Sequence, residues 1–269
     1  MDAKSLFSAG KLREAVSQAL DGVKQSPLDV NGRFFLAELL CFLGDWEKAE
    51  KQLEAVVKQN HEAGLLALLA RQLIRGEIQR EQVFAEARPP QLVGELPQHA
   101  VLQLELCAAV RSENLQEVMR LVVHSEESRP RTSGTFNGNP VSDLRDLDDR
   151  IAGVLEVITS TGKYYWVPWE SVKSLEFSPP ERPLDLIWRK ALIDVESGPE
   201  GEVFIPTRYP LIPAMKGQEW DDALKLGRAS DWPETFGAVI GMGQRMFLVG
   251  EDSTSMLEFK TWSRQLAPA

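Results

Sequence analysis

Residues 145–150 read RDLDDR, and with Asp143 the stretch places four aspartates, Asp143, Asp146, Asp148 and Asp149, within seven positions. Carboxylates this close can hold a metal ion or share a proton. The spacing is not that of a D-x-D-x-D-G calcium loop. Arg145 and Arg150 are interleaved with the acids, and mixed charges at short range pair with each other. The expectation is therefore structural: Arg145, Asp146, Asp148, Asp149 and Arg150 pair locally or across a domain boundary and fix how the parts meet. Two alternatives stand beside it. One is a metal-dependent hydrolase built on the Asp143–Asp149 cluster, with a His or Lys gathered to it. The other is a scaffold that holds its own oligomer together.

The remaining residues of chemical interest are scattered. His61, His99 and His124 form no HxxxH or HExxH pair, and Cys41 and Cys107 form no CxxC, so zinc-ligand spacing is missing. GAVIGMGQ (237–244) lacks the third glycine of a G-x-G-x-x-G loop and a following helix, and reads as strand–turn–strand rather than a nucleotide loop. There is no GxSxG nucleophile elbow. No catalytic residue, metal or cofactor is expected.

These residues must be carried by a chain of 269 residues with a formal net charge of −10. An acidic balance speaks against a nucleic-acid binder, which needs a basic footprint, and against docking on an anionic membrane. The opening MDAKSLFSAGKLREA has no apolar core of a signal peptide, and no apolar run approaches the roughly 20 residues of a membrane span. Two cysteines in helix-like sequence read as reduced, and the location expected is cytoplasmic.

The first half carries a period of 34. Gly10 and Gly44, Ala15 and Ala49, Val23 and Val57, and Gln25 and Gln59 all obey it. That is the tetratricopeptide period. Degenerate units follow: helices over 62–75 and 79–87 around a Gly76-Glu77 turn, then 98–110 and 115–124 around Ser112-Glu113-Asn114. By analogy with the repeat, the inner face includes Phe34, Glu38, Cys41 and Phe42, then Leu66, Ala70, Leu73 and Ile74. An apolar inner face suits the apolar side of a partner helix. It is equally what a covered core stripe looks like. Phe34, Glu38, Phe42, Leu66 and Ile74 are the candidate partner-binding residues, although such a groove could also lie between the two halves or on the β part.

Residues 125–142 are rich in Ser, Gly, Asn and Pro and lose all periodicity. Beyond them, IAGVLEVIT (151–159) and KYYWVPW (163–169) read as a hairpin. More strands are expected at 190–196, 202–206, 237–241, 245–250 and 256–262, with short helices in 184–188 and 219–227. Six of the seven tryptophans lie beyond residue 160. The fold class is α+β in two segregated parts. A TPR-like α-solenoid occupies 1–124, a linker or long loop 125–142, and an antiparallel β-rich domain, a small curled and barrel-like sheet, 143–269.

RDLDDRIAGVLEVITSTGKYYWVPWESV (145–172), DLIWRKA (185–191), EVFIPTRYP (202–210) and LKLGRASDW (224–232) stand in the order of the ImpE family, also called TagJ, which the chain resembles. The resemblance implies a non-enzymatic accessory protein of bacterial type VI secretion. It implies an adaptor that binds the small sheath subunit TssB through that subunit's N-terminal helix and works beside the ClpV ATPase on contracted sheath.

Overall fold

Gly10 and Gly44 both take left-handed backbone, with φ of +81° and +75°, a conformation that glycine adopts without a Cβ clash. Each ends one helix and lets the chain turn back: α1 (Ala3–Ser8) into α2 (Leu12–Gln25), and α3 (Val30–Leu43) into α4 (Trp46–Gln59). Asp29 and Asp45 start α3 and α4 by accepting hydrogen bonds from the N–H groups of Gly32 and Lys48. The computed structural model describes residues 1–211, 220–233 and 237–265.

The 34-residue period covers these two hairpins and stops. The expected turn at Gly76-Glu77 does not form, and α5 runs unbroken from His61 to Glu86. Gly76 is there for a different reason, since a Cβ at that position would collide with Ile158 of the sheet. The expected last pair is present as α6 (Gln98–Arg111) and α7 (Leu115–Ser128). The turn between them puts Glu113 at φ +54°.

The β part is larger and flatter in connectivity than a small barrel. Its strands are β1 (Gln91–Leu92), β2 (Gly134–Phe136), β3 (Asn139–Val141), β4 (Leu144–Asp146), β5 (Val154–Ile158), β6 (Tyr164–Pro168), β7 (Val172–Phe177), β8 (Trp188–Val195) and β9 (Glu200–Pro206). After α8 (Asp222–Lys225) come β10 (Ser230–Asp231), β11 (Met242–Gly243), β12 (Met246–Val249), β13 (Asp252–Ser255) and β14 (Thr261–Arg264). Nine of them form one open sheet in the order β1-β6-β5-β9-β8-β7-β14-β2-β3; β13-β12-β4 make a second sheet and β10-β11 a third. The segment 125–142 is not bare linker. Its start completes α7, and β2 and β3 form a hairpin that joins the main sheet through β14.

Alternation on the strands gives the sheet two apolar faces. Ala191, Ile193 and Val195 of β8 meet Phe247, Phe259 and Trp262 in one core. Trp188 and Phe204, with Ile158, Tyr164 and Trp166, turn the other way and share a continuous core with α1–α5. The helical hairpins therefore rest on the sheet.

Candidate functional site

Each of the four aspartates near RDLDDR is held by an arginine. Asp143 pairs with Arg129 at 2.6 Å, Asp149 with Arg145 at 2.6 Å, and Asp148 with Arg150 at 2.6 Å. Asp146 pairs with Arg245 at 2.5 Å, across 99 residues of sequence. Their other partners are backbone N–H groups and the Tyr209 hydroxyl, which donates to Asp146 at 3.0 Å. Burial pushes the Asp146 carboxyl up to about 6, against the pull of Arg245, so the pair is ionic at neutral pH. The His or Lys that a hydrolase would need is not among these partners. Among the described residues no cluster of three or more His, Cys, Asp or Glu could hold a metal ion.

The ion network continues into the helices. Arg245 Nη1 lies 3.2 Å from Glu156 without hydrogen-bond alignment. Glu156, on β5, receives both Nε (2.8 Å) and Nη2 (2.9 Å) of Arg80 on α5, and the Tyr164 hydroxyl donates to it as well. Arg80 also bonds Glu77, whose second oxygen accepts from Trp188 Nε1 at 2.8 Å. Burial opposes ionisation of Glu156, but the charges of Arg80 and Arg245 outweigh it and hold the carboxyl down at about 2. A buried carboxylate with paired, bidentate donors is the arrangement in which a charge is tolerated away from water.

The strings EVFIPTRYP and LKLGRASDW meet the helices too. Arg208 of EVFIPTRYP donates to the carbonyls of Phe42 (3.1 Å), Cys41 and Lys225. It thereby satisfies carbonyls at the C-terminal end of α3, where a positive charge is favoured. Burial lowers its guanidinium to about 10. Arg228 of LKLGRASDW donates to the carbonyls of Phe7 and Ser8 at the end of α1.

The open surface at this seam is a groove. One part holds about 410 Å³, with Leu66, Leu69, Ala70 and Leu73 of α5 facing Trp188, Lys190 and Phe204 of the sheet. The adjoining part holds about 550 Å³ and is lined by Phe7, Phe34, Phe35 and Glu38. Phe34, Leu66, Glu181 and Arg182 belong to both parts, which makes the groove continuous.

The structure divides the five candidate partner-binding residues. Phe34 and Leu66 line the groove, Leu66 with 39% of its surface exposed. Glu38 lines it as well but is 5% exposed. Phe42 and Ile74 are fully buried and do not face it. Phe42 packs against Phe7 at 5.3 Å between centroids and lies under the Arg208 guanidinium, while Ile74 is covered where the sheet meets α5. Reading the inner face from the repeat alone missed that Phe7 and Arg208 cover Phe42 and that Ile74 joins the core shared with the sheet. It also missed Arg80, Glu77, Glu156 and Arg245. One signal was present: a glutamate inside the apolar run VLEVI needs a buried cation.

A helical-hairpin protein docked on an open mixed sheet has known counterparts. Residues 138–263 match the family described as ImpE protein. The type VI secretion system accessory component TagJ of Pseudomonas aeruginosa is 27% identical over 260 residues, covering 97% of this chain and 90% of that protein. A crystal structure of a Vibrio parahaemolyticus protein matches with a TM-score of 0.90 at 29% identity, over 98% of both chains. The ImpE match lies in the β-rich part, while the likeness to TagJ and to the Vibrio parahaemolyticus structure runs over almost the whole chain.

Proposed function

We propose that this protein is an accessory component of a type VI secretion system, working in the cytoplasm as a non-enzymatic adaptor. The groove between α5, α3 and the sheet takes the N-terminal helix of the small sheath subunit, TssB, and brings it to recycling by the ClpV ATPase. The similarity to TagJ supports the accessory role. The observation that carries the binding mode is the groove itself, apolar on both walls and edged by Glu181, Arg182 and Lys190. That anatomy, apolar anchors inside a charged rim, is how grooves receive amphipathic helices. Among the described residues no helix is long and apolar enough to cross a membrane.

Calorimetric titration with a synthetic peptide of the TssB N-terminal helix tests this. Saturable binding with a negative heat-capacity change is expected, because apolar surface leaves water. Leu66→Asp puts a charge on an exposed lining position and is expected to weaken binding at least about tenfold, or about 1.4 kcal/mol. Its fold should be unchanged. Equal affinity of wild type and Leu66→Asp would move the site elsewhere, and no binding by the wild type would end the helix-adaptor reading.

A further inference from the structure

Among the apolar walls of the groove sits a buried acid, Glu38, with no ion pair to any of the described residues. Glu38 projects from α3 beside Phe7, Phe34 and Phe35. It is 5% exposed. The backbone N–H of Leu184 supports its carboxylate, and the charged groups that face it are Arg182 and Asp185 from the 178–185 segment and Lys4 from α1. Arg182 and Lys4 are exposed, and neither comes within salt-bridge distance of Glu38, so their charges stay in water.

We propose that the groove selects a helix whose apolar face carries one Arg or Lys, and that this cation docks on Glu38. The inference rests on the helix-binding reading above and deepens it by naming the chemistry of the face that is recognised.

Three considerations lead to a cation. A carboxylate taken out of water without a counter-charge is costly, and an incoming ammonium or guanidinium supplies what the described residues do not. Phe7 and Phe35 meet edge to face at 6.0 Å, next to the acid, and aromatic surroundings favour a cation over an anion or a neutral amide. A helix with only apolar residues would seal the Glu38 carboxyl, ionised or protonated, away from the water that serves its polar oxygens, so the acid rejects such helices as well as attracting the right one.

Protonation gives the proposal a distinctive readout. Burial, opposed by the Leu184 N–H and by Arg182, holds the Glu38 carboxyl up at about 8. In the free protein at neutral pH the group is mostly protonated. A docked cation favours the ionised form, so binding releases a proton. Affinity then rises with pH, by about tenfold per unit well below 8, and levels off above it.

The experiment is calorimetry of the full chain with the TssB N-terminal helix peptide, at pH 6.5, 7.5 and 8.5, in buffers of different ionisation enthalpy. A set of peptides with each Arg or Lys changed singly to Gln accompanies it. Expected for wild type at the lower pH is release of close to one proton. One basic position should stand out, its Gln peptide binding about tenfold weaker or worse and releasing no proton. Glu38→Gln resembles the protonated carboxyl and should keep the fold. With it, affinity should be flat with pH and that Gln peptide should bind as well as the parent. Binding with no proton release and no sensitive basic position overturns the cation dock and leaves the groove reading in place. These wild-type measurements decide the matter whether or not Glu38→Gln folds. No binding of any peptide overturns both.

Discussion

Arg80→Ala is expected to lower the unfolding free energy by about 3–5 kcal/mol. Arg80 is 1% exposed and gives two hydrogen bonds to Glu156, one to Glu77 and one to the carbonyl of Arg208. Removing it leaves two buried carboxylates short of donors, and the cost is that of stranded charge rather than of a lost contact. Urea denaturation followed by circular dichroism measures it. The double variant Arg80→Met/Glu156→Gln should lose less than the sum of its single changes, because the neutral pair no longer strands a charge. The pH response has a definite sign. Glu156 is held below its ordinary value, so its contribution is present above about 4.5 and fades as pH falls toward about 2. Arg80→Met should remove that acid-side dependence. A loss under about 1 kcal/mol for Arg80→Ala would mean that the network is not what joins α5 to the sheet.

Gly76→Val is expected to cost about 2–3 kcal/mol. Mid-helix glycine costs about 1 kcal/mol against alanine, so on propensity alone a side chain at 76 should help α5. The sheet decides otherwise. A Cβ there would overlap Cγ2 of Ile158 and lie 3.2 Å from its Cγ1, and Ile158 is fully buried. The helix must move off the sheet or the isoleucine must leave its rotamer. Gly22→Ala is the contrast. Gly22 lies in α2 with nothing within 4 Å of its added Cβ, and a gain of up to about 1 kcal/mol is expected. Gly76→Ala combined with Ile158→Ala should lose less than the two changes added, since the new methyl occupies space that the isoleucine vacates. Thermal unfolding of the set reads both effects; a neutral Gly76→Val would show that α5 and the sheet are not in close contact at this point.

Local order was legible in the chain wherever a short-range rule governs it. The 34-residue period marked the two hairpins, and Gly10 and Gly44 marked their turns, because a left-handed residue is a property of one position. Ser-Thr-Gly between two β-rich runs marked the β5–β6 hairpin. The alternation of charges in RDLDDR foretold pairing, and the Arg145–Asp149 and Arg150–Asp148 pairs lie within four residues.

Everything that depends on two distant segments was decided by the tertiary structure. Gly76 looks like a helix stop until Ile158 is brought against it. Phe42 looks like a groove anchor until Phe7 and Arg208 cover it, and Ile74 until the sheet does; the Asp146–Arg245 pair cannot be read without β4 and β12 side by side. The segment 125–142 has the composition of a loop, yet pairing with β14 makes Gly134–Phe136 a strand, and β3 pairs onto it. Caps, periods and turns are set by neighbours in sequence, so the sequence by itself determined two helical hairpins, a β-rich half and a cluster of paired aspartates. Burial and ion pairing are set by neighbours in space. They settled which face of the repeat is core, and they left Phe34 and Leu66 lining the groove against Trp188 and Phe204, with Glu38 in the adjoining part.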